Sequence, residues 1–215
     1  MLLVKFKKRY PASFMSHLDV LRSFLRGFTR SGIIVKQSAG FNPHFIVYFT
    51  LPLPLANESE AEYMCVDTDA TPEEFLKKFE GNTLKGLEIV SVKRLNHNPN
   101  VAGIVTYSDY YVNVTLTDKQ KEILKKVMQR DTLVITYTQK GNTVQKEVRS
   151  QIADINVDDG LRLRLTSGNN NLRVDRLLQG IEGLNLDFNA YDVVRLEQYT
   201  GDICNLIPLC ELKDR

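Results

Sequence analysis

Two histidines of this 215-residue chain, His17 and His44, flank one short basic stretch of sequence. His17 stands at the start of a predicted helix, where the positive end of the helix dipole disfavours a charged imidazole. A neutral imidazole can act as a base or as a metal ligand near neutral pH. Together with Asp19, Glu58 or Glu62, the two histidines could form an acid–base pair or a weak metal site. The alternative is that they only hydrogen-bond the loop around His44 to the helix.

Three arginines in the same stretch are spaced for a different chemistry. Arg22, Arg26 and Arg30 follow one another at intervals of four residues and therefore stack along one side of a helix. One helical turn is about 5.4 Å, close to the repeat of phosphates along a nucleic-acid strand. Phe41 and Tyr48 are candidates to stack on bases. We predict a nucleic-acid-binding surface made of Lys5, Lys7, Arg9, Arg22, Arg26, Arg30, Phe41 and Asn42; the alternative is an ordinary solvated face.

The charge distribution favours a polyanionic partner. The net charge is only +2, but the first fifty residues hold eight Lys and Arg residues against one acid. A positive end on a nearly neutral protein is typical of binding to polyanions. The three cysteines form no CxxC pair, and no secretory or membrane segment is recognisable. We therefore expect a soluble, cytoplasmic protein without a metal or cofactor and with no membrane association.

The elements that would position these residues are read from local patterns. Ser16 can cap a helix that Gly32 ends, with Leu18, Leu21, Leu25 and Phe28 as its apolar stripe. Strands are predicted at 2–10, 45–51 (as a central strand), 62–67 and 87–95, and a second helix starts at Thr71. The order is β-α-β-β-α-β, the split βαβ arrangement of ferredoxin-like modules.

The second half repeats this order after a linker at residues 96–103, in which His97 is read as a loop residue. Predicted elements are a strand at 107–116, a helix at 117–130, hairpins at 132–149 and 152–166, a helix at 173–180 and a last strand at 193–199. We therefore predict an α+β fold of two ferredoxin-like (βαββαβ) modules side by side. Residues 1–95 form the basic first module and residues 104–215 form the second.

Several motifs together resemble a known family, the radical-SAM-linked proteins of bacteria, whose biochemical role is unknown. The resemblance rests on the following runs: Ser16-His17-Leu18-Asp19, the arginines at 22, 26 and 30, Ser38-Ala39-Gly40-Phe41-Asn42-Pro43-His44, Leu51-Pro52-Leu53-Pro54-Leu55, Glu62-Tyr63 and Leu172-Arg173-Val174-Asp175-Arg176. Two positions depart from the family pattern. Phe45-Ile46 stand where Pro-Lys is usual, and Ala56 stands where glycine is usual.

The resemblance implies an accessory protein of a radical-SAM enzyme that is encoded separately. Such a protein carries no cluster of its own, and the inferred role is to bind or present an RNA or ribosomal substrate. On this interpretation the chain itself is not an enzyme. Two alternatives stay open: an RNA-acting enzyme that uses His17 and His44 as base and acid, and a scaffold whose arginine side docks an acidic protein.

Overall fold

Hydroxyl side chains fix the starts of the three longest helices. The computed structural model describes residues 1–139 and 141–213; Lys140 of the predicted hairpin turn and the last two residues of the predicted second module lie outside the described residues. The hydroxyls of Ser16, Thr71 and Thr117 each accept a hydrogen bond from the backbone N–H three residues later. Each such cap stabilises its helix by about 1 kcal/mol. The helices are α1 His17–Ser31, α2 Pro72–Phe79, α3 Asp118–Met128 and α4 Val174–Gly180.

The strands of the described residues form one large mixed sheet and one separate hairpin. They are β1 Leu2–Lys8, β2 Val47–Phe49, β3 Glu58–Val66, β4 Leu87–Arg94, β5 Tyr107–Val112, β6 Val134–Gln139, β7 Asn142–Glu147, β8 Ile152–Asn156, β9 Leu161–Thr166, β10 Val193–Asp202 and β11 Asn205–Pro208. The large sheet has the order β4-β1-β3-β10-β5-β9-β8, with β2 paired to β3 and β11 paired to β10. Strands β6 and β7 pair only with each other within the described chain.

The two halves of the chain meet inside this sheet. In the first half the order is β4-β1-β3-β2, and in the second it is β10-β5-β9-β8; within each half all neighbours are antiparallel. A short parallel pairing joins the halves, with Val194 opposite Glu58 and Arg195 opposite Ser59. The fold is mixed α/β, consistent with the α+β class, and the boundaries at residues 95 and 104 stay predictions.

Aromatic side chains fill the core of the first half, between its helices and its sheet. Phe24 and Phe28 of α1 pack on Phe79 of α2 with ring centroids 6.0 and 5.3 Å apart, and Phe75 stacks on Phe79 at 5.2 Å. Gly27 lets the two helices approach, because a Cβ there would lie 2.6 Å from the Phe79 ring. Tight aromatic packing therefore fixes α1, and with it the arginines on its outer side.

The predicted apolar stripe of α1 was wrong in part. The buried side of α1 carries Val20, Phe24 and Phe28, whereas Leu18 is mostly exposed. Two sets of apolar residues recur at helical period in α1: Leu18, Leu21 and Leu25, and Val20, Phe24 and Phe28. Periodicity alone does not show which set is buried. The set with the larger aromatic rings lies against the sheet, since those rings bury more apolar area.

Several strand predictions were wrong. The strands predicted at 2–10 and 107–116 end early, at Lys8 and Val112, and three further differences follow. The predicted central strand at 45–51 contains only β2, which pairs with β3 alone among the described strands. Strand β3 begins at Glu58, earlier than predicted, because the basic side chains of β1 neutralise its acidic start. Strand β10 continues to Asp202, and β11 follows it, so the strand predicted to be the last is not.

Candidate functional site

Helix α1 presents its three arginines to solvent, as their spacing predicts. Arg22 makes an ion pair with Asp19 at 3.2 Å, and Nη2 of Arg30 donates to the backbone carbonyl of Asn82 at 2.6 Å. Within residues 1–139 and 141–213, Arg26 makes no ion pair. Among the described residues, no acid compensates the charge of Arg26 or Arg30. We call Arg22, Arg26 and Arg30 the arginine face.

The basic residues of β1 do not extend the arginine face. Nζ of Lys5 lies 2.6 Å from Glu197 and 5.7 Å from the ring centroid of Tyr63, on the side of the sheet away from α1. Lys7 and Arg9 share the carboxylate of Glu60. These three side chains are therefore compensated by acids and lie apart from the arginine face.

The loop after α1 is closed at its base and exposed at its tip. Oγ of Ser38 lies 2.8 Å from Nδ1 of His44 and also accepts from the backbone N–H of His44 at 3.1 Å. Phe41 is fully exposed at the tip, beside exposed Asn42. The geometry gives His44 a loop-closing hydrogen bond and leaves Phe41 free to stack on a ligand.

His17 lies in a different setting from His44. Its ring packs edge-on against Phe49 at a centroid distance of 5.4 Å, close to Lys8 and Glu62. No hydrogen bond or ring contact joins the two histidines in the described chain. The pKa of His17 is lowered, as expected, but the largest cause is burial, which disfavours the charged imidazole.

A buried group of charges lies around His17. The sequence analysis named Glu62 as a candidate partner of His17 but did not predict a role for Lys8 or Arg195 there. Arg195, 3% exposed, donates through Nη1 to Oε1 of Glu62 at 3.1 Å and to the carbonyl of Leu51 at 3.2 Å. Lys8 is equally buried, and its ammonium donates to the carbonyl of Met15 at 3.0 Å. We call Lys8, His17, Glu62 and Arg195 the charge cluster.

Burial and mutual charge set the electrostatics of the charge cluster. Burial lowers the pKa of Lys8, with the Glu62 carboxylate opposing this effect. Burial also disfavours the charged form of Arg195, but Glu62 and Tyr110 outweigh it, so the pKa of Arg195 is raised. A buried charge is tolerated only when paired, which makes Glu62 the residue on which this arrangement depends.

The proline-rich segment 51–55 forms the cover of the charge cluster. Its backbone carbonyls bind Arg195, and Leu53 lines a cavity of about 20 Å³ together with Lys8, His17 and Glu62. A space of this size holds about one water molecule and excludes a substrate. Ala56, which follows the segment, has the left-handed φ of 67° that favours glycine.

The sequence pattern of β1 indicates the burial of Lys8, which the sequence analysis did not predict. Lys8 continues the alternation Leu2, Val4, Phe6 on the buried side of β1, so its position alone indicates burial.

Among the described residues, no group of three or more His, Cys, Asp and Glu side chains is placed to hold a metal ion. None of the described helices has both the length and the apolar character needed to span a bilayer.

Comparison with known proteins places the chain in a family. Residues 1–183 match the family DUF2344, described as uncharacterized protein conserved in bacteria. The chain belongs to this family. The matched range includes α1, the loop at 38–44, the proline-rich segment and all of the first half, and it ends before Arg195. No curated protein matches the chain. The expectation of an uncharacterised bacterial family is confirmed.

Proposed function

We propose that this DUF2344 protein binds RNA through its arginine face and presents it to a separate radical-SAM enzyme as a non-catalytic accessory. The observation that carries the RNA part is the exposed row Arg22, Arg26 and Arg30, in which two charges have no paired acid among residues 1–139 and 141–213. Guanidinium groups bind phosphates through paired N–H donors and stay charged at all physiological pH values. The radical-SAM partner rests on the motif resemblance.

The exposed aromatic tip of the loop supports an RNA ligand over a simple polyanion. Phe41 is fully exposed, and Tyr48 is partly exposed on β2. An aromatic ring in water gains little unless a flat partner covers it, and unpaired RNA bases supply such partners. A single-stranded or looped RNA that runs along α1 would place a base on Phe41.

The strand orders support a ferredoxin-like assignment for both halves. Each half has four antiparallel strands in the spatial order fourth-first-third-second, counted without the hairpin β6–β7. We interpret this hairpin as an insertion into the second module, between α3 and β8. The three free cysteines, Cys65, Cys204 and Cys210, support a reducing location, which we propose to be the cytoplasm.

Exposed apolar side chains around the start of α1 suit the docking of the enzyme partner. Tyr10 and Phe14 are mostly exposed and meet edge-on at 6.2 Å, and Leu18 is exposed at the second residue of the helix. Apolar groups that protrude together in this way are typical of protein–protein contacts. In this proposal the partner lies at the N-terminal end of α1 while the RNA follows the arginines toward its C-terminal end.

The test is RNA retention by the purified protein at about 50 and 200 mM salt. Three phosphate contacts to a single strand would weaken binding roughly 20-fold over this range. The triple variant Arg22→Glu, Arg26→Glu, Arg30→Glu should lose retention at the lower salt concentration. A control with the same charge change, Lys119→Glu, Lys125→Glu, Lys126→Glu on the exposed side of α3, should retain it. Equal retention by both variants would refute the proposal.

A further inference from the structure

A large cavity lies away from the arginine face and the charge cluster. It measures about 880 Å³ and lies between the end of β4, the 96–105 segment and the C-terminal residues after β11. Small-molecule sites commonly have volumes of roughly 300–1,000 Å³. We call this cavity the groove.

The floor of the groove is aliphatic. Leu95, Ile104, Ile207 and Leu212 line it, and no Phe, Tyr or Trp does so within the described chain. An elongated hydrocarbon would bury its surface on these side chains. A nucleotide base, in contrast, would find no aromatic ring for stacking.

Basic side chains outnumber acidic ones in the groove. Among the described residues, Lys93, Lys213 and His97 line it together with one acid, Glu211. The two lysines and the one glutamate give the described lining a net charge of +1, which matches one negative charge on a ligand.

A hydrogen bond fixes the ammonium of Lys93 at the wall of the groove. Its Nζ donates to the backbone carbonyl of Leu212 at 2.6 Å, which ties the C-terminal segment to β4. An ammonium has three N–H donors, and within residues 1–139 and 141–213 only one of them is used, which leaves two for a ligand. The side chain is half-buried, and a charge-assisted hydrogen bond there is less weakened by water than one at the surface.

From the aliphatic floor and the single excess positive charge, we propose that the groove binds a long-chain monocarboxylate, with the alkyl chain on the floor and the carboxylate at Lys93. A peptide of the same length would bring a polar amide with every residue. Those amides would lose their water without finding partners on aliphatic side chains. This site is independent of RNA binding.

The test is displacement of a groove-bound fluorescent dye by three C12 compounds: laurate, dodecanol and dodecyltrimethylammonium. Laurate should bind most tightly, and the cationic compound should bind about tenfold or more weakly. Lys93→Gln should weaken laurate by about tenfold and leave dodecanol unchanged. The exposed control Lys85→Gln should change neither affinity.

A second variant keeps the test independent of the tie between Lys93 and Leu212. Ile104→Trp fills the groove from its floor and should abolish binding of laurate and dodecanol alike, while the melting temperature stays near that of the wild type. Binding of laurate that is unaffected by Ile104→Trp, or that is no tighter than binding of the cationic compound, would overturn the proposal. Absence of laurate binding to the wild-type protein would overturn it as well.

Discussion

Replacement of Glu62 by glutamine should cost much of the stability of the protein. Glu62→Gln removes the carboxylate opposite Arg195 and leaves two buried cations, Lys8 and Arg195, in one cluster. Removal of one partner from a buried ion pair costs about 3–5 kcal/mol. The free energy of unfolding of a natural protein is about 5–15 kcal/mol, so the loss is a large fraction of it.

Strand β3 offers a matched control two residues away. Glu60 pairs with Lys7 and Arg9, but these three side chains are 27–52% exposed. Such surface pairs contribute about 0–1 kcal/mol, so Glu60→Gln should be nearly neutral. Urea unfolding followed by circular dichroism gives the free energy of unfolding for both variants.

The comparison separates burial from mere charge loss, because both variants remove one carboxylate from the same strand. Addition of Lys8→Met to Glu62→Gln should recover part of the loss, since one of the two uncompensated cations is then gone. If Glu62→Gln unfolds within about 1 kcal/mol of Glu60→Gln, the charge cluster does not depend on its carboxylate and the reasoning is wrong.

Three further predictions concern single residues of the first half. Because burial lowers the pKa of His17, the unfolded chain takes up a proton before the folded chain does as the pH falls below about 6.5. The wild type should therefore lose more stability between pH 7 and 5 than His17→Gln. Parallel pH profiles of the two proteins would contradict this prediction. Gly27→Ala should cost about 1–3 kcal/mol in urea unfolding because its Cβ meets the Phe79 ring, whereas a neutral effect would mean that the helices separate freely. Ala56→Gly should raise the midpoint of urea unfolding, by roughly 1 kcal/mol in stability, since glycine adopts a positive φ without strain; a lower midpoint would refute this.

Local chemistry explains which parts of the fold were predictable. The caps at Ser16, Thr71 and Thr117 and the left-handed Gly32 depend only on neighbouring residues, and the helices they bound were predicted within a few positions. The hairpin β8–β9 was predicted at its observed bounds because its turn at residues 158–160 consists of Asp, Asp and Gly, which are residue types that favour tight turns.

The candidate site was harder to predict because its main contacts are distant in sequence. Arg195 reaches Glu62 only through the pairing of β10 with β3, and no local pattern encodes a pairing across 133 residues. The arginine face was recognisable from spacing alone. Its separation from Lys5, Lys7 and Arg9 follows from the side of the sheet that each strand residue faces.

The pairing of β10 with β3 has a consequence for synthesis on the ribosome. The nascent chain exposes Lys8 and Glu62 early, whereas Arg195 is synthesised 133 residues after Glu62. During this interval the first half carries unfinished strand edges and an acid that lacks its final partner. Release of a chain that stops before Arg195 therefore yields a product that is incomplete at the centre of its sheet, because β10 pairs with both β3 and β5.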